Sequence, residues 1–172
     1  ARGEVAVGVS FVHEFITQQL AGFPVDIAIP CEGTGVALGG MSTSLVTAFE
    51  SDLDAALVGI PIIDFPGLIE HHAPRHLHMR AIEYNILDGT AQDLHRVVSP
   101  LTMPVVVPRE ARAIFAGLGD RLATTDQPQR LVEHWEQPES CWFAGNHVGY
   151  LWSDTVWRFV DQALTKRGLI GR

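Results

Sequence analysis

Short apolar segments alternate with amphipathic segments along this chain of 172 residues. The clearest apolar segment is 55–60, which lies between Asp54 and Pro61 and is typical of a strand buried on both faces. Other strand candidates are 25–29, 112–116 and 141–144. Helix candidates are 10–21, 41–51, a segment that starts at Asp126 and a segment that starts at Ser153 or Asp154. This alternation predicts an α/β fold with a mostly parallel sheet flanked by helices.

Composition excludes several classes of function. The net charge of −8 argues against binding to nucleic acid or to anionic membrane surfaces, both of which favour a basic patch. No apolar run approaches the ~20 residues that a membrane-spanning helix needs. Two cysteines, Cys31 and Cys141, are too few for a disulfide framework, so we expect reduced thiols in a cytoplasmic protein.

We predict a single domain over 1–172 that is interrupted at 64–104. Five of the eight histidines lie in that segment, together with prolines and short helical patterns. We interpret it as a cap-like helical excursion that leaves the sheet and returns. The chain starts with Ala rather than Met, so we expect either a processed N-terminus or a piece of a longer protein. The four tryptophans are expected in the core: Trp135, Trp142, Trp152 and Trp157.

Three polar loops follow predicted strands. They lie at 35–40, 117–120 and 145–147, and in chain order they carry a glycine-rich turn, an acid and a histidine. In open parallel sheets, ligands and catalytic groups gather outside the carboxyl ends of the strands. We therefore expect these loops to form one site.

The three loops together resemble the α/β-hydrolase family. The matching motifs are GVALGG at 35–40, which has the spacing of the nucleophile elbow G-x-S-x-G, AGLGDRL at 116–122 and GNHVG at 145–149. The resemblance implies hydrolysis of an ester or related acyl bond in a small, apolar substrate, without a cofactor. It implies that position 37 holds the nucleophile, that His147 is the base and that Asp120 orients His147. The backbone N–H of Leu38 would be one oxyanion donor.

Position 37, however, is Ala, and without a hydroxyl no acyl-enzyme can form there. Three interpretations stay open: a natural loss of function, a deliberate Ser-to-Ala substitution, or a nucleophile elsewhere. Cys31 and Ser42 are the alternative nucleophiles, with Ser44 as a further candidate. Hydroxyls inside a helix usually bond to its backbone, so a structural role is the plainer interpretation of both serines.

The N-terminal part also departs from the family pattern. The family runs an apolar strand straight into the first glycine, whereas 30–34 reads PCEGT. The family's early strands and the loop that donates the second oxyanion N–H would precede residue 1. The strand at 25–29 is then expected at a sheet edge, where pairing with a second copy is an alternative.

Two rival functions remain. A catalytically inactive hydrolase fold would bind a ligand or a protein partner, and a fragment would have no function of its own. The spacing of His72 and His76 suits a metal on a helix, but Pro74 lies between them and breaks that geometry. We therefore expect no metal site.

Overall fold

The computed structural model describes residues 32–170. The predicted helix at 10–21, the predicted strand at 25–29 and Cys31 lie outside these residues. Within them, four parallel strands form one sheet in the order β1-β2-β3-β4. The strands are β1 (Glu32–Val36), β2 (Ala55–Gly59), β3 (Arg112–Gly117) and β4 (Glu139–Phe143). The predicted parallel α/β fold is confirmed.

Helices connect the strands. They are α1 (Leu38–Val46), α2 (Phe65–His72), α3 (Arg75–Glu83), α4 (Gly89–Arg96), α5 (Asp126–His134) and α6 (Asp154–Lys166). Short 3-10 turns occur at Pro100–Thr102, Arg109–Ala111 and Gly149–Trp152. No helix within 32–170 is both long enough and apolar enough to span a bilayer.

The two faces of the sheet are covered by different helices. Successive strand residues point to opposite faces, so Val58 and Ile114 pack with Leu131 of α5 on one side. On the other side, Phe115 and Phe143 pack with Val156 of α6. Every residue of β2 is buried, as the continuous apolar pattern of 55–60 predicted, and every residue of β3 is buried as well.

The first strand and helix differ from the prediction. Strand β1 occupies Glu32–Val36 and runs directly into the turn at Ala37, so the interruption expected at 30–34 is wrong for residues 32–34. Pairing with β2, for example Thr34 opposite Leu57, supplies a strand that the local sequence does not signal. Helix α1 then begins at Leu38, before the two glycines rather than after them, and ends at Val46 instead of 51.

Gly40 explains why a glycine lies inside α1. A Cβ at this position would lie 3.1 Å from Val58 Cγ1 and 3.2 Å from both the Gly59 carbonyl oxygen and Pro61 Cα. The missing side chain lets the first turns of α1 pack directly on the end of β2.

The tryptophans divide between core and surface. Trp135 is fully buried, as predicted, but the side chain of Trp152 is 77% exposed and that of Trp157 is 44% exposed. The prediction of a core position is therefore wrong for Trp152 and Trp157. Trp152 lies in the 3-10 turn before α6. Trp157 donates its indole N–H to the Leu151 carbonyl at 3.1 Å.

Segment 64–104 is largely helical, and Asp64 fixes its start. The Asp64 carboxylate accepts the Gly67 N–H at 3.0 Å and pairs with Arg130 of α5 at 2.8 Å. The Gln127 side chain accepts the backbone N–H groups of Ile63 and Asp64. Burial raises the pKa of Asp64, but the Gly67 N–H and the Arg130 guanidinium outweigh it and hold that pKa below its ordinary value.

Asp64→Asn is expected to lower stability in a pH-dependent way. Asn keeps a capping oxygen but removes the charge that pairs with Arg130. Because the folded pKa is lowered, the ionised carboxylate stabilises the fold above the ordinary Asp pKa of about 3.9, and this contribution disappears as the pH falls through the folded value. We expect thermal unfolding at pH 7 to show a Tm lower by about 2–4 °C, and this difference should shrink as the pH falls below the ordinary Asp pKa and through the folded one. Asp88→Asn, at the start of α4, is the control, and an equal loss there would contradict the role of the ion pair.

Candidate active site

A strained turn joins β1 to α1. Ala37 adopts φ 55° and ψ −114°, a conformation that residues with a side chain rarely adopt. Its N–H donates to the Gly59 carbonyl at 3.0 Å, and its own carbonyl accepts the N–H groups of Met41 and Ile62, both at 3.2 Å. Backbone hydrogen bonds from α1 and from the end of β2 therefore hold Ala37 in this conformation.

The neighbouring strand end is strained as well. Ile60, directly after β2, is fully buried and has φ 38°, which is unusual for a β-branched residue. Its N–H donates to the Phe115 carbonyl at 2.7 Å. Strained residues cluster at functional sites, and two of them lie side by side at the carboxyl edge of this sheet.

Ala37→Gly is expected to stabilise the chain. Glycine tolerates a positive φ, so it relieves strain of about 1–3 kcal/mol, while its extra freedom in the unfolded chain costs about 0.5–1 kcal/mol. We expect Tm to rise by about 2–4 °C in thermal unfolding followed by circular dichroism. Ala91→Gly within helix α4 is the matched control and should lower Tm. A lower Tm for Ala37→Gly would mean that the turn carries no strain.

The start of α1 presents free donors beside Ala37. The first N–H groups of a helix have no partner within the helix, and the helix dipole places partial positive charge there. Leu38 is the first helical residue, and its side chain is half exposed. The predicted oxyanion donor, the Leu38 N–H, therefore lies next to position 37 at an end of a helix that favours negative charge.

Asp120 and His147 form a hydrogen-bonded pair. His147 Nδ1 lies 2.7 Å from Asp120 Oδ2, while Asp120 Oδ1 accepts the N–H groups of Leu122 at 2.8 Å and Ala123 at 3.0 Å. The Asp120 side chain is only 1% exposed and that of His147 is 20% exposed. A carboxylate can only accept, so Nδ1 carries a proton, and in the tautomer that this contact selects Nε2 is the acceptor.

Backbone contacts bring the two loops together. Leu118 N–H donates to the Phe143 carbonyl at 2.9 Å, and Gly119 N–H donates to the Gly145 carbonyl at 3.0 Å. A Cβ at Gly117 would lie 2.6 Å from the Gly145 oxygen. The glycines of the acid loop, which the sequence presents only as turn residues, therefore allow the contact between Asp120 and His147.

The alternative nucleophiles are engaged elsewhere or lie outside the described residues. Ser42 Oγ donates to the Leu38 carbonyl at 3.3 Å, and Ser44 Oγ donates to the Gly40 carbonyl at 2.7 Å. Both hydroxyls bond to the preceding helical turn, as expected for a structural role. Cys31 is not described. Cys141 lies in β4, where burial raises the pKa of its thiol and disfavours the reactive thiolate.

The histidine-rich segment does not assemble a set of metal ligands in residues 32–170, where no three His, Cys, Asp or Glu side chains are grouped to hold an ion. Pro74 separates α2 from α3, so His72 and His76 lie on different helices. His72 Nε2 instead lies 3.0 Å from the Leu122 carbonyl in the acid loop. Sequence reasoning missed this contact, because the two residues are far apart in the chain.

A cavity of about 460 Å³ lies between segment 64–104 and helices α1 and α5. Its walls include Met41, Ile63, Leu101 and Arg130, together with residues of α2 and α4. Ala37, Asp120 and His147 do not line it.

The fold is similar to that of several solved hydrolases. A puromycin-hydrolysing peptidase of Mycobacterium tuberculosis matches 95% of this chain and 25% of its own, with a TM-score of 0.59 and 20% identity. A thermophilic esterase of Thermogutta terrifontis, solved with butyrate, matches 93% of this chain and 64% of its own, with a TM-score of 0.52 and 19% identity. This chain has an α/β-hydrolase-like fold.

A third solved hydrolase has a similar fold. An acetyl ester-xyloside bifunctional hydrolase of Caldicellulosiruptor lactoaceticus matches 80% of the chain and 57% of its own, with a TM-score of 0.53 and 18% identity. At these identities the likeness concerns the fold alone. No family model matches the sequence.

Sequence comparison also finds a relative. An uncharacterised protein of Mycobacterium tuberculosis is 38% identical over 138 residues, which cover 79% of this chain. The chain spans about a third of the length of that relative, 32%.

Proposed function

We propose that this chain carries an acyl-hydrolase site in which the nucleophile belongs at position 37. In this site His147 is the base and Asp120 orients His147. The observation that carries the proposal is the buried 2.7 Å contact between His147 and Asp120 in loops at the carboxyl edge of the sheet. The strained Ala37 turn supports it, because such a turn lifts the side chain at its centre above the sheet. The hydrolase activities named for the three similar structures agree with it.

The proposed chemistry needs a hydroxyl at position 37. His147 Nε2 takes the hydroxyl proton as the oxygen attacks the acyl carbon, and Asp120 stabilises the imidazolium that forms. The Leu38 N–H stabilises the oxyanion of the tetrahedral intermediate. His147 then returns the proton to the leaving alcohol or amine, and water releases the acyl group by the same two steps.

The substrate class follows from the side chains around these loops. Leu38 follows position 37, Leu118 and Leu122 flank Asp120, and Val148 follows His147; all four side chains are exposed. An exposed apolar rim of this kind suits a small ester or acyl compound with an apolar group. We therefore keep a small-molecule ester as the proposed substrate. Within residues 32–170 the outer strands of the sheet are β1 and β4, and pairing of a second copy at either is the proposal for self-association.

With Ala37 in place, the site binds such a substrate without forming an acyl-enzyme. This is the second candidate function, a ligand-binding hydrolase fold, and a specific observation favours it. The Asp120–His147 pair is formed although position 37 carries no hydroxyl for it to activate.

The test is covalent labelling with a fluorophosphonate, which reacts with an activated serine. We expect the mass of the Ala37→Ser chain to increase by one adduct, and the original chain and Ala37→Gly to stay unlabelled. Ala37→Ser combined with Ser42→Ala should label equally, since the Ser42 hydroxyl bonds to the helix backbone. A folded Ala37→Ser chain that is not labelled would refute the hydrolase site, whereas labelling of the original chain would locate the nucleophile elsewhere.

A further inference from the structure

We propose that His72 is a positioning residue that holds the Asp120 loop from outside the sheet. The inference rests on the proposed function for its consequence in catalysis, but its structural part concerns this chain as it is. Its basis is a continuous series of hydrogen bonds that runs from helix α2 to His147.

The series begins at the last residue of α2. His72 Nε2 lies 3.0 Å from the Leu122 carbonyl oxygen. A carbonyl only accepts, so Nε2 carries the hydrogen and donates it. The N–H of the same Leu122 donates to Asp120 Oδ1 at 2.8 Å, and Asp120 Oδ2 contacts His147. Leu122 is therefore bonded through its carbonyl to His72 and through its N–H to the carboxylate that holds His147.

Packing restrains Leu122 itself only weakly. Leu122 is 41% exposed and the neighbouring Arg121 is exposed too, whereas Ala123 on its other side is buried. In the part of the chain that the structure describes, the bond to His72 is the one hydrogen bond between segment 65–104 and loop 118–123. The other bonds of the loop lie within it or reach Gly117, Phe143, Gly145 and His147.

His71 supports the orientation of the His72 ring. The two imidazoles meet edge to face, with centroids 4.6 Å apart and ring planes at 89°. This contact restrains the direction in which Nε2 points. It also supplies a control, since His71→Phe keeps an aromatic ring there and has no part in the bond to Leu122.

The consequence is that the helical segment sets the position of the catalytic carboxylate. Without the bond from His72, the peptide unit that contains the Leu122 carbonyl and the Ala123 N–H loses one restraint, and this N–H holds Asp120 Oδ1 less firmly. The orientation of His147 then varies, which lowers kcat rather than substrate affinity.

The experiment compares His72→Phe, which keeps the ring shape but cannot donate, with His72→Gln, whose side-chain amide can still donate to the Leu122 carbonyl. The first readout uses the Ala37 chain and needs no activity. It is the low-field proton NMR signal of the His147 Nδ1–H bonded to Asp120. We expect this signal to broaden or disappear in His72→Phe, and to persist in His72→Gln and His71→Phe.

The second readout uses the Ala37→Ser background and p-nitrophenyl butyrate. We expect kcat to fall about fivefold to tenfold in His72→Phe with little change in KM, which is the size expected for losing a single hydrogen bond, and we expect His72→Gln to recover most of the loss. An unchanged NMR signal and unchanged kcat in a folded His72→Phe chain would overturn the inference and leave the proposed function intact.

An inactive Ala37→Ser chain would instead count against the proposed function. The NMR comparison in the Ala37 chain then still decides the role of His72. If His72→Phe fails to fold, amide hydrogen exchange at Leu122 and Ala123 in His72→Gln and His72→Asn replaces it. Exchange equal to that of the original chain in His72→Gln, but faster in the shorter His72→Asn, supports the bond, and equal exchange in all three rules it out.

Discussion

Ala37→Ser is expected to raise kcat/KM for p-nitrophenyl esters by up to the order of 10⁶-fold over the original chain, the factor lost when a triad nucleophile is removed. The expectation depends on backbone geometry that is already present. Ala37 has φ 55° and ψ −114°, and the Asp120–His147 pair is formed. In the proposed site, a single hydroxyl is then the group to be supplied. The measurement is steady-state and burst kinetics with acetate, butyrate and octanoate esters.

Two matched variants test whether the new hydroxyl and its base are responsible for this activity. Ala37→Gly keeps the turn without a hydroxyl and should remain inactive. Adding His147→Ala to Ala37→Ser should abolish both burst and turnover, because no base remains for the hydroxyl. Equal inactivity of Ala37→Ser and the original chain, with both folded, would favour the ligand-binding function.

Asp120→Asn is expected to lower kcat of the Ala37→Ser chain by about 10⁴-fold, as for the equivalent change in a serine protease triad. The amide cannot stabilise the imidazolium, and it favours the wrong tautomer of His147 because its NH₂ group donates to Nδ1. KM should change little, since the Asp120 side chain is only 1% exposed and contacts His147. The measurement is kcat and KM with p-nitrophenyl butyrate, accompanied by a thermal melt.

Asp93→Asn is the control for the loss of one carboxylate. Asp93 lies on α4 and is well exposed, with only a surface pair to Arg96. It should leave kcat within about twofold, because exposed ion pairs contribute little. If Asp120→Asn also kept kcat within tenfold, Asp120 would be a turn residue that caps the Leu122 and Ala123 N–H groups and nothing more.

The sequence predicted those parts of the fold in which local pattern and tertiary contacts agree. The apolar segment 55–60 became the buried strand β2, and Ser153 caps α6 where expected. The sequence did not predict the first strand, where hydrogen bonding to a neighbouring strand outweighs the local pattern of residues. Residues 32–35 carry no apolar signal, and β1 forms there because the backbone pairs with β2.

The start of helix α1 was also predicted wrongly, because of its glycines. Gly39 and Gly40 were expected to precede the helix, since glycine weakens helices. They lie inside α1, and at Gly40 the reason is close packing, because a Cβ there would lie only 3.1–3.2 Å from atoms at the end of β2. No local pattern reveals such a close approach.

The candidate site, too, could be predicted only in part from the sequence. Asp120 and His147 could be singled out because each follows a predicted strand, and the structure places them in contact. The bonds that align their loops, such as Leu118 N–H to the Phe143 carbonyl, join distant residues and leave no local signal. The contact between His72 and Leu122 spans 50 positions for the same reason. The roles of these residues in catalysis remain a proposal.

The hydrogen bonds at Ala37 determine which substitutions this turn can accept during evolution. The bonds to Gly59, Met41 and Ile62 use only backbone atoms, so the turn does not depend on which side chain stands at position 37. In the proposed site, loss of a hydroxyl there would remove chemistry without removing architecture, so one substitution would reverse it. Replacement of Gly117 differs, because an added Cβ there would lie 2.6 Å from the Gly145 carbonyl oxygen. The same backbone could present a thiol as readily as a hydroxyl.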